Sequence, residues 1–231
     1  MRIAVLIYGR LNKCVEHYDN ALENIGKHND IDFFFSSDNS SESLVNDFIR
    51  LYKPKLYENS PIQYECDLGK YPGLQNVTNV HNMTCHFINK NRVFSLLEKY
   101  INQENVHYEC VISLRIDCML QSNFIFNNLE DNTIYIPSGE DYFATAINDK
   151  IAYGKVDVMK KYNYIDPIDL LEKNLSIPHP ESLTYANILL NKLQIESICL
   201  RTQIILEIRS LNTNVVTALT GVAVLVIQFN S

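Results

Sequence analysis

The heptapeptide Val111-Ile112-Ser113-Leu114-Arg115-Ile116-Asp117 decides how this chain is read. Its first four residues form the short apolar run of a strand buried on both faces of a sheet. Its last three bring a cation and a carboxylate to the strand's end. Arg115 and Asp117 stand two residues apart and therefore project to the same side. Spacing alone leaves two readings open: a structural ion pair at a strand terminus, or charged groups set at a binding site.

Upstream, Ile3 to Tyr8 is a similar run that Gly9 stops. Val15, Tyr18, Leu22 and Ile25 then recur at helical spacing, with Gly26 as the end signal. Ile31 to Phe35 reads as a second strand, ended by the polar cluster Ser36 to Ser40. Leu44, Phe48 and Leu51 mark a second helix, which Pro54 ends, and Lys55 to Tyr57 reads as a short third strand. Residues Asn59 to Asn79 hold prolines and glycines with little periodicity and read as a long loop. A helix from about Asn82 to Tyr100 carries Phe87, Phe94 and Leu97 on one face, which Asn91 interrupts.

Downstream of the heptapeptide, Ile134 to Ile136 reads as a strand, and Ile151 to Tyr153 is short and apolar before Gly154. Val156 to Tyr162 and Ile168 to Leu171 read as short helices, and Pro180 opens a longer one that runs to Leu193. Ile195 to Leu200 and Ile204 to Ile208 read as closing strands. This alternation predicts an α/β fold with a mostly parallel central sheet and helices on both faces. Ligands of such sheets sit at the C-terminal strand edges, which makes Gly9-Arg10, Ser37-Asp38 and Arg115 to Asp117 neighbours in space.

Length and composition narrow the function classes. A chain of 231 residues with 46% apolar content buries a core as one domain. A formal charge of −7 without a Lys/Arg run argues against a nucleic-acid binder. Six cysteines without a Cys-x-x-Cys pair read as reduced, mostly buried thiols, not as a disulfide framework or structural zinc. Met1 to Tyr8 is too poor in apolar and basic residues for a signal peptide, so a cytoplasmic start is expected. Residues 1–209 carry the recognisable pattern. Ser210 to Ser231 is uncharged and apolar in part, with strands closing the fold as the first reading and a membrane-associated tail as the alternative. Gly-x-Ser-x-Gly, P-loop and His-Glu-x-x-His motifs are absent.

In order along the chain stand a first strand ending in Gly9 with basic residues behind it, Asp32-Phe33-Phe34-Phe35, and the Arg115-x-Asp117 strand end. Ile134-Tyr135-Ile136-Pro137, Asn148-Asp149-Lys150-Ile151-Ala152-Tyr153-Gly154, Met159 with Tyr162, and His179-Pro180-Glu181 follow. That series resembles the GT-A-fold glycosyltransferases of polysaccharide gene clusters and large DNA viruses. The resemblance implies transfer of a sugar from a nucleotide-sugar donor, with UDP-sugars favoured, to a hydroxyl of a glycan, polysaccharide or glycoprotein acceptor.

It further implies Mn²⁺ or Mg²⁺ held by Asp117, where relatives carry Asp-x-Asp and this chain has Arg115 in the first position. Arg115 is then expected to share in stabilising the leaving diphosphate. Gly9 and Arg10 are expected to meet the nucleotide, against the alternative of a plain strand-to-helix turn. Ser37 and Asp38 are expected at the ribose or base, or as helix caps, and Asn91 and Arg92 within reach of the nucleotide, or as satisfied polar residues. Asp149 is the expected acceptor-side carboxylate and Glu181 a holder of sugar hydroxyls; ordinary turn and helix-start roles are their alternatives.

Overall fold

Apolar runs without alternation require cover on both sides, and two of them occupy the middle of the sheet. In the computed structural model of the chain, β1 (Arg2–Tyr8) is buried from Ile3 onward and β4 (Cys110–Arg115) is buried through Leu114. The structure describes residues 1–26, 29–63, 80–120, 124, 126, 128–138, 146–173, 175, 176, 178–198, 202 and 203. Around the two central strands lie β2 (Asp30–Ser37), β3 (Leu56–Asn59), β6 (Thr133–Pro137), β7 (Ile151–Gly154) and β8 (Gln194–Ile198). Their order is β3-β2-β1-β4-β7-β6-β8. The fold is therefore α/β, with a seven-stranded, mostly parallel mixed sheet.

One strand breaks the parallel rule. β7 pairs antiparallel with both β4 and β6, while β6 and β8 run parallel to each other. Leu114 at the end of β4 thus faces Ile151 at the start of β7, and the Arg115 amide donates to the Lys150 carbonyl at 2.8 Å. The segment before β7 is delivered to the C-terminal edge of β4 by that reversal.

Helices cover both faces. On one, α1 (Cys14–Gly26) and α2 (Glu42–Tyr52) pack Cys14, Ile25, Val45 and Phe48 on Ile3, Val5, Phe33, Phe35 and Ile112. On the other, α3 (Val80–Glu104), α4 (Val156–Asn163) and α6 (Pro180–Leu190) set Phe94, Leu97, Met159, Tyr162 and Ile188 on Ala4, Leu6, Phe34 and Val111. A third cluster joins Phe87 and Met83 of α3 to Leu170 and Leu171 of α5 (Pro167–Glu172) and to Leu183.

Differences from the sequence reading are local. α3 is longer at both ends than Asn82 to Tyr100. α6 stops at Leu190 instead of Leu193, because Lys192 turns left-handed (φ 53°) and the Leu193 amide closes back on the Ile188 carbonyl at 3.1 Å. Leu11–Lys13 forms a 3₁₀ turn, and two short strands, β5 (Met119–Leu120) and β9 (Thr202–Gln203), pair antiparallel; none of the three was anticipated. Most of the expected 59–79 loop, the expected 204–208 strand and residues 210–231 lie outside the described residues.

At the edge opposite the strand C-termini, Asp32 ties three elements together. It is buried and accepts hydrogen bonds from Arg2 Nη2 at 2.8 Å and Tyr108 Oη at 2.7 Å, with Lys55 Nζ 3.1 Å away. Burial opposes its ionisation, yet the bonds from Tyr108, Arg2 and Lys55 outweigh burial and hold its pKa below the ordinary value. A depressed carboxylate contributes stability that is complete above its unfolded pKa and is lost as pH falls through the folded one. Asp32→Asn is expected to reduce the unfolding free energy by about 2 kcal/mol at neutral pH. In urea titrations the gap to the parent should narrow below about pH 4.

Candidate functional site

From β1 the chain steps outward to β2 and β3, then returns to place β4 on the other side of β1. At such a switch point the connections leave in opposite directions and a crevice opens beyond the strand ends. A cleft of about 370 Å³ lies there. Tyr8, Gly9 and Arg10 line it from β1, Asp38 from β2, Asn82, Cys85, His86 and Asn89 from α3, and Arg115 and Asp117 from β4. An adjoining cavity of about 460 Å³ shares Arg10 and Asp38 and adds Asn12 and His81 to its walls.

The strand ends are held by cross-strand bonds. The Gly9 amide donates to the Ser36 carbonyl at 3.1 Å, and the Ile116 amide to the Tyr8 carbonyl at 3.2 Å. Gly9 has φ +110°, which an L side chain rarely adopts, whereas an added Cβ would meet only ordinary contact, 3.7 Å from Ile116 Cγ2. The glycine is needed for its backbone rather than for room.

Arg115 grips Asp117 in a two-point ion pair, Nε to Oδ1 at 2.6 Å and Nη2 to Oδ2 at 3.0 Å. The Asp117 side chain is 52% exposed, so the pair opens on the cleft. Burial acts against both charges, but their mutual hydrogen bonding prevails: Asp117 is held below the usual carboxylate range and Arg115 above its ordinary value.

Beneath this pair lies Asp149, 1% exposed. Its Oδ2 is 3.3 Å from His86 Nε2 and its Oδ1 is 3.9 Å from Arg115 Nη1. Tyr8 Oη and Tyr162 Oη donate to its backbone carbonyl at 2.9 and 3.4 Å. Lys90, wholly buried, sets its ammonium 3.8 Å from the centre of the Tyr162 ring. Burial pushes Lys90 down to about 7 and His86 down to about 3, in each case against the opposing pull of Asp149. Asp149 Oδ1, His86 Nε2 and Lys90 Nζ make no hydrogen bond among the described residues. Buried polar atoms without partners are rare enough to mark a place where a ligand or water completes the network.

The structure brings together Gly9, Arg10, Asp38, Arg115 and Asp117 at the opening, with Asp149 behind them. Glu181 is within electrostatic reach of Asp149 and Arg115; the Ile147 amide bonds its carbonyl at 3.4 Å, and its carboxylate meets His179 Nδ1 at 2.9 Å. Burial, with Asp149 nearby, raises its pKa. Asp149 itself is withdrawn from the surface and reaches the cleft through His86 and Arg115.

Three expected residues point elsewhere. Ser37 is fully buried and bonds the Ser40 hydroxyl, which fixes the loop after β2. Asn91 exchanges two 3.1 Å hydrogen bonds with the Ile165 backbone. Arg92 pairs with Glu58 at 3.3 Å and with the Ser60 carbonyl at 3.0 Å. The α3 residues that do face the cleft went unnoticed in the sequence, although Asn82, Cys85, His86 and Asn89 form a polar stripe at helical spacing. Three of the lining residues offer metal-ligand atoms: Asp38 and Cys85 here, with His81 next to them, all within 4.8 Å of one another.

No protein-family model matches the chain, and no curated protein matches it. Among the described residues no helix is long and apolar enough to cross a membrane. Four cysteines, Cys14, Cys85, Cys110 and Cys118, are buried free thiols, as expected; Cys66 and Cys199 lie outside the described residues.

The depressed Lys90 sets a pH dependence. Between about 7 and the ordinary lysine value of 10.5 the unfolded chain binds a proton that the folded chain does not, so stability rises with pH across that window. Relative to Lys90→Met, which has no such proton, the parent should gain up to about 1.4 kcal/mol per pH unit between roughly pH 7.5 and 9. Parallel denaturant titrations of the two proteins at several pH values measure it. A constant difference would place Lys90 in water.

Proposed function

We propose that this chain transfers a sugar from a nucleotide-sugar donor to an acceptor hydroxyl and that its fold is of the GT-A kind. The observation that carries the reading is the Arg115–Asp117 pair at the mouth of the switch-point cleft, above Asp149 and His86 atoms that make no hydrogen bond among the described residues. A diphosphate needs fixed positive charge and a cleft at the strand ends, and both coincide here.

Asp117 fits a hard cation. Arg115 occupies two of the roughly four lone-pair sites of its carboxylate, and the half-exposed side chain leaves the others to solvent. Asp117 would hold Mn²⁺ or Mg²⁺ together with donor phosphate oxygens, and such an ion neutralises charge on a departing diphosphate. Arg115 takes the same role from the protein side, its guanidinium fixed in direction before the donor arrives. The bond between the anomeric carbon and the diphosphate oxygen breaks with its electron pair leaving on the diphosphate. The acceptor oxygen forms the new bond and gives its proton to a carboxylate. Glu181, with its raised pKa, is better matched to that proton than an ordinary carboxylate. Asp149 orients Arg115 and His86 from behind. Arg10 and Asp38 border the nucleotide.

A second reading, a module that binds the same donor without turnover, is favoured by one feature: both Asp117 oxygens already serve Arg115. Thermal-shift titrations with UDP-, GDP- and dTDP-sugars, with and without Mn²⁺, followed by donor hydrolysis, separate the two. Stabilisation by a UDP-sugar is expected, with slow hydrolysis that Arg115→Ala reduces by roughly a hundredfold or more. Stabilisation without hydrolysis selects the binding module. Failure of every nucleotide-sugar to shift the melting temperature would sink both.

A further inference from the structure

His81 and Cys85 are one turn apart on α3 and face the same way, and Asp38 approaches them from the end of β2. Cys85 Sγ lies 3.4 Å from Asp38 Oδ2 and 3.4 Å from His81 Nε2, and those two atoms are 3.9 Å apart. A tetrahedral zinc ion with ordinary bond lengths to sulfur, nitrogen and oxygen separates such ligand atoms by about 3.4–3.6 Å. The three groups therefore already stand at nearly the spacing that one ion would impose.

Asp38 is held in place for the role, whereas burial and the Asp38 contact push the Cys85 thiol up to about 12, so the ion has to displace its proton. The Ile62 amide donates to Asp38 Oδ1 at 2.9 Å, which fixes the carboxylate and leaves Oδ2 to face the cluster. Cys85 is buried, and His81 at 56% side-chain exposure gives an ion a path from solvent. A thiolate and a carboxylate together balance a divalent charge. The cluster forms part of the wall between the two cavities: Asp38 lines both, Cys85 one and His81 the other.

We infer that Asp38, His81 and Cys85 bind one divalent cation of the zinc class, with a fourth position left for water or for a ligand in the cleft. The thiol and imidazole select this borderline-soft class over Mg²⁺ and Mn²⁺. Three protein ligands and an open position are the arrangement of zinc sites that take part in chemistry, whereas closed structural sites use four. On binding, the ion takes the place of the Cys85 thiol proton, which leaves to solvent. The site is separate from Asp117, and it stands whether or not the donor reading holds.

Cobalt reports on it without any nucleotide. The full chain, stripped with a chelator and titrated with Co²⁺, should saturate at a single ion per chain. The thiolate-to-cobalt band in the near ultraviolet and the intense visible bands of a tetrahedral site should appear, and Zn²⁺ should abolish both. Cys85→Ser should remove the thiolate band, and His81→Ala, at a largely exposed position, should weaken binding roughly tenfold to a hundredfold while the fold is retained. Mn²⁺ should not compete. A parent protein with no thiolate band, or a band unchanged in both variants, overturns the inference and leaves the Cys85–Asp38 contact as a thiol hydrogen bond.

Discussion

The antiparallel pairing of β7 with β4 carries Asp149 under the mouth of the cleft, and a carboxylate so far from water has to be met by cations and donors. Much of the centre of the molecule answers to that need. Arg115 approaches from β4, Lys90 and His86 from α3, and the hydroxyls of Tyr8 and Tyr162 hold the peptide carbonyl. Two of these groups are unusual in turn: burial pushes His86 and Lys90 down, against the opposing pull of Asp149. Had β7 run parallel to β4, its start would lie at the far edge of the sheet, and Arg115 would have only Asp117.

The sheet was legible because buried strands announce themselves. Ile3 to Tyr8 and Val111 to Leu114 are too apolar to have a wet face, and both are central. The direction of β7 was not legible, since four residues, Ile151 to Gly154, carry no signal that distinguishes parallel from antiparallel pairing. Helix ends were read less well than helix centres, as at Lys192, where a left-handed residue without glycine ends α6.

Of the candidate cleft, the strand-end residues follow from the sequence and the helix residues do not. Gly9, Arg10, Asp38, Arg115 and Asp117 follow from one rule about sheet edges. His86 and Lys90 require knowing which way α3 is rotated, and the apolar periodicity of that helix does not single out the polar stripe beside it. Asn91 and Arg92, on the same helix, bond the Ile165 and Ser60 backbones, which is the satisfied-polar alternative that the sequence also allows. The Asp38, His81 and Cys85 group escaped because its members are 43 residues apart at the widest step and match no Cys-x-x-Cys spacing.

Anchorage of Asp149 through the strand that follows it has an evolutionary corollary. The register of the ladder on β4 is set by the strand itself, Ile151 to Gly154 against Val111 to Leu114. A single residue gained inside Ile151 to Gly154 would turn every later side chain of the strand to the opposite face. Changes of length within that strand should therefore be purged from related sequences.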